Sequence, residues 1–492
     1  MGELSYGRVL QRLVAQDADA VAVTCDDDRI TRAELDARSN RLARVYAAHG
    51  VERGRLVTIA LPNGIEFVTA CFAAWKCGAI PNPVSPRVPI PERAAILEKA
   101  RPAVVVGVDA DGACGYPYMP AGAVPGADVD DGPVPDQVSP SERALATGGS
   151  TGQPKLILLK MPALHDPAAP ASVLAPKGCV LVTGPLYHAA SFGAATQGFL
   201  AGVKVVLMAR FDAARCLELV AQHRVEQVLF VPTMMHRIWR LPAEERQRHD
   251  VSSLRVVFTG GAPCPAWLMR SWIDWLGPDV MHDVYGPSER IGGTIITGRE
   301  WLARPGSVGK PTRGARIRIL DPELGHDVAS GEIGEVFMMP PGGHGSTYRY
   351  VGAEARRTTD GWESVGDMGY VDDEGYLFLT DRRTDMILCG GRNVYPAQVE
   401  AAIDAHPAVL SSAVIGLPDE DLGQRVHAVV QTVGVLGADE LRAHLRDRIV
   451  HYTIPRTVEF VDHALRDEAG KVRRWKLRQA RIESPPGRGP RR

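Results

Sequence analysis

No excess of either charge marks this chain. Its 56 Lys and Arg stand against 58 Asp and Glu, a formal net charge of −2, which removes the bulk attraction that a nucleic-acid binder or an anionic-membrane binder relies on. No uninterrupted apolar run approaches the roughly 20 residues needed to cross a bilayer, so no integral membrane contact is expected. The opening Met1-Gly-Glu-Leu-Ser-Tyr6 has neither the basic nor the apolar region of a secretory signal. The eight cysteines (25, 71, 77, 114, 179, 216, 264 and 389) form no CxxC pair and no metal-ligand spacing, which suits reduced thiols and a cytoplasmic location. No low-complexity repeat appears before the Pro/Gly/Arg-rich end.

What is present is a globular composition, 45% hydrophobic and 23% charged, in a chain long enough for about two to four domains. One stretch concentrates phosphate-binding chemistry: Thr147-Gly-Gly-Ser-Thr-Gly-Gln-Pro-Lys155, followed by the apolar run Leu156–Leu159. Glycines let backbone N–H groups come close to an anion, hydroxyls donate to phosphate oxygens, and lysine adds charge. A Walker A loop is excluded, because Gln153 and Pro154 intervene before the lysine and Leu156 follows it. A plain Gly/Ser/Thr connection between two strands remains the alternative for the loop in isolation.

Around it, helical and strand-like stretches alternate. Residues 31–48 read as an amphipathic helix opened by a Thr31/Glu34 capping box. A strand is expected at 56–61, a helix at 65–77, a rigid extended Pro-rich segment at 80–86, a helix near 91–100 and a buried strand at 103–107. Residues 109–140 read as a long surface excursion. Strands at 179–183, 203–208, 227–231 and 254–259, with helices at 212–223, 234–240 and 265–276, point to doubly wound, mostly parallel α/β layers. From about 306 the strands shorten between Gly, Pro and Asp, suggesting a small β-rich subdomain. From 397 to about 480 the pattern is a compact α+β unit. The predicted fold is therefore a large N-terminal domain (1–383) of two doubly wound α/β layers plus a β-rich lobe, a small mobile α+β C-terminal domain (384–480), and a disordered tail (481–492).

Five motifs fall in order along this frame: Thr147–Lys155, Tyr285-Gly-Pro-Ser-Glu289, Gly361-Trp-Glu-Ser-Val-Gly-Asp367, Thr380-Asp-Arg-Arg-Thr-Asp-Met-Ile-Leu-Cys-Gly-Gly391 and Gly470-Lys471. From about residue 20 to 480 the chain resembles the adenylate-forming superfamily of acyl-CoA ligases, peptide-synthetase adenylation domains and luciferases. The resemblance implies that a carboxylate attacks the α-phosphate of ATP and a thiol then takes the acyl group from the acyl-AMP. ATP, Mg2+ and CoA would be the cofactors, and a small carboxylic acid the substrate. A partner enzyme or carrier protein as acyl acceptor is the alternative, and a non-catalytic nucleotide sensor a third reading.

By this resemblance Thr147, Gly149, Ser150, Thr151, Gly152 and Lys155 would hold the phosphates. Glu289, with the Thr151 hydroxyl, would hold the metal, since magnesium takes few protein ligands. Tyr285 would lie on the adenine face, with Gly261, Ala262, Pro263, Gly286 and Ser288 around the nucleotide and Asp283 accepting from the adenine amino group. Asp367 and Arg382 would form the ribose pair, Lys471 would bridge the carboxylate and α-phosphate, Thr384 would be the hinge, and Gly390 and Gly391 would serve the CoA step. Lys471, Glu289 and Lys155 are thus the expected catalytic groups. Two departures from the common pattern, Gly148 in place of a hydroxyl residue and Leu156 in place of glycine, imply a looser grip on pyrophosphate.

Tyr187, His188 and Met235 are expected at the acyl pocket, although a buried core histidine and core methionines are the plainer readings. The small residues after His188 (Ala189, Ala190, Ser191, Gly193, Ala194) would leave room for a bulky, alicyclic or steroid-like acid.

Overall fold

The computed structural model describes residues 2–148, 154–168, 175–323, 325–468 and 470–483. Its central feature is a 15-stranded sheet. Six neighbouring strands run parallel, in the spatial order Val21–Cys25, Val205–Leu207, Val180–Val182, Gln227–Phe230, Val256–Gly260 and Met281–Tyr285. They are Val-rich and buried on both faces, as parallel strands covered by helices must be. Alternate residues serve the two layers. Val180 and Val182 join one hydrophobic cluster, while Leu181 joins the other with the helices Ala213–His223, Pro232–Trp239 and Ala266–Leu276.

A second parallel sheet, in the order Ile80–Pro83, Leu56–Ile59, Val104–Val106 and Tyr118–Met119, stands across the first cluster. Between the two sheets lie the helices Arg32–Ala48 and Ile65–Lys76. The first carries the capping box expected from its sequence, with the Thr31 side chain on Glu34 N–H and Glu34 answering at Thr31 N–H. In the second, every residue from Phe67 to Lys76 is buried, the signature of a helix packed on all sides. Its terminal Lys76 is tolerated because the ammonium donates to Asp36 Oδ1 at 2.7 Å and Asn40 Oδ1 at 2.6 Å. The 109–140 excursion lies over this layer, clipped to Arg32–Ala48 by Asn40, Arg41 and Arg44 bonding to the carbonyls of Asp131, Val129 and Gly132.

The β-rich lobe keeps a hydrophobic cluster of its own, with Val308, Ile319, Val336, Met338 and Leu377, and its sheet joins the main one. Strand Ser307–Pro311 pairs with Thr294–Thr297 on one side and Leu377–Arg382 on the other, so the short strands continue the main sheet in antiparallel sense. The phosphate-loop region is an antiparallel hairpin of its own. Ala144–Gly148 pairs with Pro154–Leu159, and Tyr348–Val351 completes a three-stranded sheet. The helix Tyr6–Gln16, capped by Ser5, and the hairpin Val21–Cys25/Asp28–Thr31 precede the elements read from the sequence.

Residues from Ile387 onward form a five-stranded sheet with its own core and the helices Pro396–Asp404 and Ala438–Arg446. A last helix, Arg474–Glu483, runs past position 480, where the sequence had placed the start of the tail; 484–492 lie outside the described residues. Among the described residues no helix is long and apolar enough to cross a membrane, and all eight cysteines are free thiols.

Candidate active site

Ligands of open α/β sheets bind beyond the carboxyl ends of the strands, and here those ends open into one crevice of about 3240 Å3 beneath the C-terminal domain. Thr183–Pro185, Tyr187 and His188 follow one strand, Met208–Phe211 the next, and then Val231–Thr233, Gly261–Pro263 and Gly286–Glu289, all of them lining it. The hairpin reaches the same space from the side. Thr147 and Lys155 are direct cross-strand partners, and both line the crevice. Gly149, Ser150, Thr151 and Gly152 lie outside the described residues.

Three groups meet beside the hairpin. Glu289 is buried, accepts from the Tyr350 hydroxyl at 2.5 Å and faces Lys155 Nζ at 3.7 Å. The same ammonium sits 3.8 Å from the Tyr350 ring centroid. Burial lowers the pKa of Lys155, with Glu289 opposing that shift. Thr147 Oγ1 is buried and finds no hydrogen-bond partner among the described residues. An unsatisfied hydroxyl, a partly desolvated lysine and one buried carboxylate fit a polyphosphate with magnesium, in which phosphate oxygens and water supply most of the metal's ligands. Among the described residues no cluster of three or more His, Cys, Asp or Glu could cage a metal by itself, and this mode of binding needs none.

Arg290 fixes Glu289 from behind. Its backbone is left-handed, φ +56°, and its guanidinium donates to the buried Glu142 at 2.9 and 3.1 Å. Glu142 leads into the hairpin strand and also pairs with Arg143, so the ion pairs join the Glu289 turn to the base of the hairpin. This clamp and Tyr350 were not foreseen. Tyr348 and Tyr350 fall on one strand face by period-two alternation, which was the available signal.

Elsewhere along the crevice, Asp367 and Arg382, the pair expected at the ribose, are opposite each other across two paired strands. Arg382 Nε lies 3.3 Å from Asp367 Oδ1, and the Tyr285 hydroxyl donates to Oδ2 at 2.5 Å. Gly261 turns at φ +79°, and with Ala262, Pro263, Gly286 and Ser288 it borders the crevice. Asp283, also at its edge, is buried, and loss of hydration pushes its carboxyl up to about 8, the Val284 N–H acting in the opposite sense. At neutral pH it is largely a neutral acid that can both accept from and donate to a base edge. A raised carboxyl pKa favours the fold at low pH, and that benefit is lost as pH climbs from the unfolded value near 3.9 through the folded one. Asp283→Asn, neutral at every pH, should therefore melt higher than wild type by at least about 2 °C at pH 8 and show little difference at pH 4. Thermal melts across that range check it, and AMP affinity should stay within about threefold because the amide keeps one donor and one acceptor.

His188, expected at the acyl pocket, lines the crevice and occupies the N-cap position of the helix Ala189–Leu200, with no side-chain capping bond. Burial and the nearby Lys471 charge lower its pKa to about 3, so the imidazole is neutral. Tyr187 stacks obliquely on it at 4.7 Å. Ala190, Gly193, Ala194 and Gln197 recur at helical spacing on the crevice side, and a Cβ at Gly193 would meet nothing within 4 Å. Asn63, unread in the sequence, ties three loops together here: it donates to Gly184 O and Met208 O at 3.0 and 2.9 Å and accepts from Leu186 N–H at 2.8 Å. Met235 does not take part. It is fully buried in the core, whereas Met234, one residue earlier, lines the crevice. Neighbours on a helix point about 100° apart, so the sequence alone could not choose between them.

From the C-terminal domain, Lys471 enters this space. It lies within electrostatic reach of Arg382, Asp467, Glu289 and His188, and desolvation, then Arg382, lowers its pKa. Gly470 beside it adopts φ +74°, and a Cβ there would approach Thr233 Oγ1 to 2.7 Å, so glycine lets the loop seat against the N-terminal domain. Thr384 also borders the crevice. It stands between Arg383, paired with the buried Glu335 of the main sheet at 3.2 Å, and Asp385, paired with Arg474 of the last helix at 2.9 Å. Gly390 and Gly391 form the tight turn of the hairpin Ile387–Cys389/Arg392–Val394 and are not among the residues lining the crevice.

The chain is similar to known proteins along most of its length. The family described as "AMP-binding enzyme" matches residues 10–343, and "AMP-binding enzyme C-terminal domain" matches 398–471. A feruloyl-CoA synthase from an Amycolatopsis species is 34% identical over 475 residues, covering 94% of this chain and 96% of that protein. A fatty acid–[acyl-carrier-protein] ligase from Streptomyces coeruleorubidus is 30% identical over 489 residues, covering 93% and 92%. The o-succinylbenzoate CoA synthetase of Bacillus subtilis, solved with its acyl-adenylate intermediate, superposes with TM-score 0.81 and 26% identity over 97% of this chain and 98% of that one. The same enzyme has also been solved with ATP and magnesium, with TM-score 0.79 and 25% identity over 97% of this chain and 100% of that one.

Proposed function

We propose, for a chain that belongs to the AMP-binding enzyme family and is an AMP-forming acid–CoA ligase using ATP, Mg2+ and CoA, that its acid is hydrophobic and bulky, carried on a ring or rings, and that the residues gathered in the crevice perform the two half-reactions. The carrying observation is the convergence of Lys155, Glu289, Asp367, Arg382 and Lys471 on one space that continues into a trough of small side chains. In the first half-reaction a carboxylate oxygen of the acid bonds to the α-phosphorus as the bond to the β-phosphate breaks, and pyrophosphate leaves. Thr147 and Lys155 would hold the leaving phosphates, Glu289 the magnesium that offsets their charge, and Asp367 with Arg382 the ribose. Lys471 would sit between the two reacting anions and lower their repulsion. In the second, the CoA thiolate attacks the acyl carbon and AMP departs, after the small domain has turned about Thr384 to bring Gly390 and Gly391 to the site. The domain boundary is accordingly drawn at 383/384, and the cytoplasm, where ATP and CoA are available, is the expected setting.

The trough supports the ring-bearing substrate. Ala190, Gly193 and Ala194 present almost no side chain along its floor, and the similarity to a feruloyl-CoA synthase makes a phenylpropanoid acid the first to try. Gly193→Leu should place an isobutyl group in open space without harming the fold, since leucine is the better helix former by about 0.8 kcal/mol. The expected result is a fall of at least about tenfold in kcat/KM for the best ring acid, with a smaller effect on acids of two to four carbons; steady-state kinetics on both classes check it.

Mass spectrometry of products from ring and straight-chain acids with Mg-ATP, with and without CoA, tests the whole reading. Acyl-AMP that turns into acyl-CoA on CoA addition, with ring acids preferred, is the expected outcome, and activation of short linear acids alone would overturn the substrate assignment. Acyl-AMP that persists beside CoA would instead favour a carrier-protein acceptor, the reading that the similarity to an acyl-carrier-protein ligase supports.

A further inference from the structure

The loop that carries Lys471 is bound to the N-terminal domain by charge. Three residues before the lysine, Glu468 pairs with Arg87 and accepts from the Tyr187 hydroxyl at 3.3 Å. Two residues after it, Arg473 donates to both oxygens of Glu92, at 3.1 and 3.3 Å, and Lys476 lies 4.0 Å from the same carboxylate. Arg87 and Glu92 flank one short segment, Val88-Pro-Ile-Pro91, which follows the strand Ile80–Pro83. Positive and negative groups alternate across the gap, Arg87 against Glu468 and Glu92 against Arg473. A shift of the loop by one pair would set like charges against each other.

We propose that Arg87, Glu92, Glu468 and Arg473 are positioning residues that form an interdomain latch. In this latch the two ion pairs hold Lys471 in the crevice for adenylation and must break before the thiol step. The inference rests on the two-step reading above. Three residues of chain span at most about 11 Å, so fixing Glu468 confines Lys471 to a small volume around the reacting anions. The pairs are also suited to release. Arg87 and Glu468 are 69% and 40% exposed, and exposed pairs are weak and screened by salt. A strong buried bridge would trap the small domain after acyl-AMP forms, whereas weak exposed pairs bias its position and still let go. Tyr187 lines the crevice, so its hydroxyl carries the state of the acyl pocket to Glu468. An acid that displaces the ring perturbs the latch.

The test uses Arg87→Ala, Glu468→Gln and the charge exchange Arg87→Glu with Glu468→Arg in the full chain. Three readouts apply: pyrophosphate release with saturating acid and ATP, CoA thiolysis of synthetic feruloyl-AMP, and hydrogen exchange of peptides covering 464–476 without substrate. The single variants should slow adenylation by about threefold to tenfold, leave thiolysis unchanged or faster, and raise exchange in 464–476. The exchange variant should restore all three, and salt near 0.5 M should weaken adenylation in wild type more than in the variants. Equal loss in both half-reactions, no change in either, or no restoration by the charge exchange overturns the latch. Should wild type form no acyl-AMP at all, the two-step reading fails on its own. The exchange measurement then still decides whether the ion pairs hold the loop.

Discussion

Lys471→Ala should lower the rate of acyl-AMP formation by about 100- to 1,000-fold, the usual cost of removing one charged group aimed at a developing transition-state charge. Thiolysis of supplied acyl-AMP should stay within about threefold of wild type. The asymmetry follows from where the ammonium sits. It shares the crevice with Glu289, Arg382 and His188, the groups proposed to surround the reacting carboxylate and α-phosphate, and it belongs to a domain whose Gly390–Gly391 hairpin, proposed for the thiol step, is not among the residues lining the crevice. The His188 imidazole beside it is neutral above about pH 3, so of these two neighbours only the lysine could supply charge to the two anions. Folding should be unaffected, because the loop is held by its own bonds: Lys471 N–H to Asp467 Oδ1 at 2.9 Å and Gly470 N–H to Asp467 O at 2.9 Å. Pyrophosphate release and thiolysis, measured separately, check the split. Equal loss in both would assign Lys471 a structural role.

Lys471 also shows which parts of the fold and site were legible in the sequence. Features written in consecutive residues were readable: the Thr31/Glu34 cap, the helix Ile65–Lys76, and the strand–helix alternation up to Met281–Tyr285. The motif residues Tyr285, Asp367 and Arg382 lie at strand ends, each with its neighbours in a few adjacent residues of sequence. What required long-range pairing was not. Ser307–Pro311 looks like any short strand until Leu377–Arg382 is laid beside it, so the β-rich lobe was legible but not the pairing that joins its sheet to the main one. Tyr350 reaches Glu289 across 61 positions and Arg290 reaches Glu142 across 148, distances over which local pattern carries no information. Met235 failed for a narrower reason. The element was right, but the rotation of Pro232–Trp239 about its axis, set by Trp272 and Phe230 packing in the same cluster, decides which methionine faces the crevice.

Glu289→Gln should be comparably severe, about 100- to 1,000-fold in adenylation, and separable from Lys471→Ala by its metal dependence. Glutamine keeps the volume of the buried side chain and an oxygen that can still accept from the Tyr350 hydroxyl, now at 2.5 Å from the carboxylate, so the turn held by Arg290 and Glu142 should survive. What disappears is the negative charge. Lys155, 3.7 Å away, then keeps the burial that lowers its pKa but loses the carboxylate that opposes it. Its ammonium becomes easier to deprotonate, and the adenylation optimum should contract on its alkaline side. Magnesium would lose the carboxylate proposed to hold it, so the magnesium concentration for half-maximal rate should rise at least about tenfold, whereas Lys471→Ala should leave it near wild type. Tyr350→Phe supplies the control. It removes the hydroxyl but neither charge, and only a few-fold loss is expected, in line with one hydrogen bond to a charged group. Magnesium titrations of adenylation in the three variants check the assignment. An unchanged magnesium requirement in Glu289→Gln would move the metal to phosphate and water alone and leave Glu289 as the counter-charge that orients Lys155.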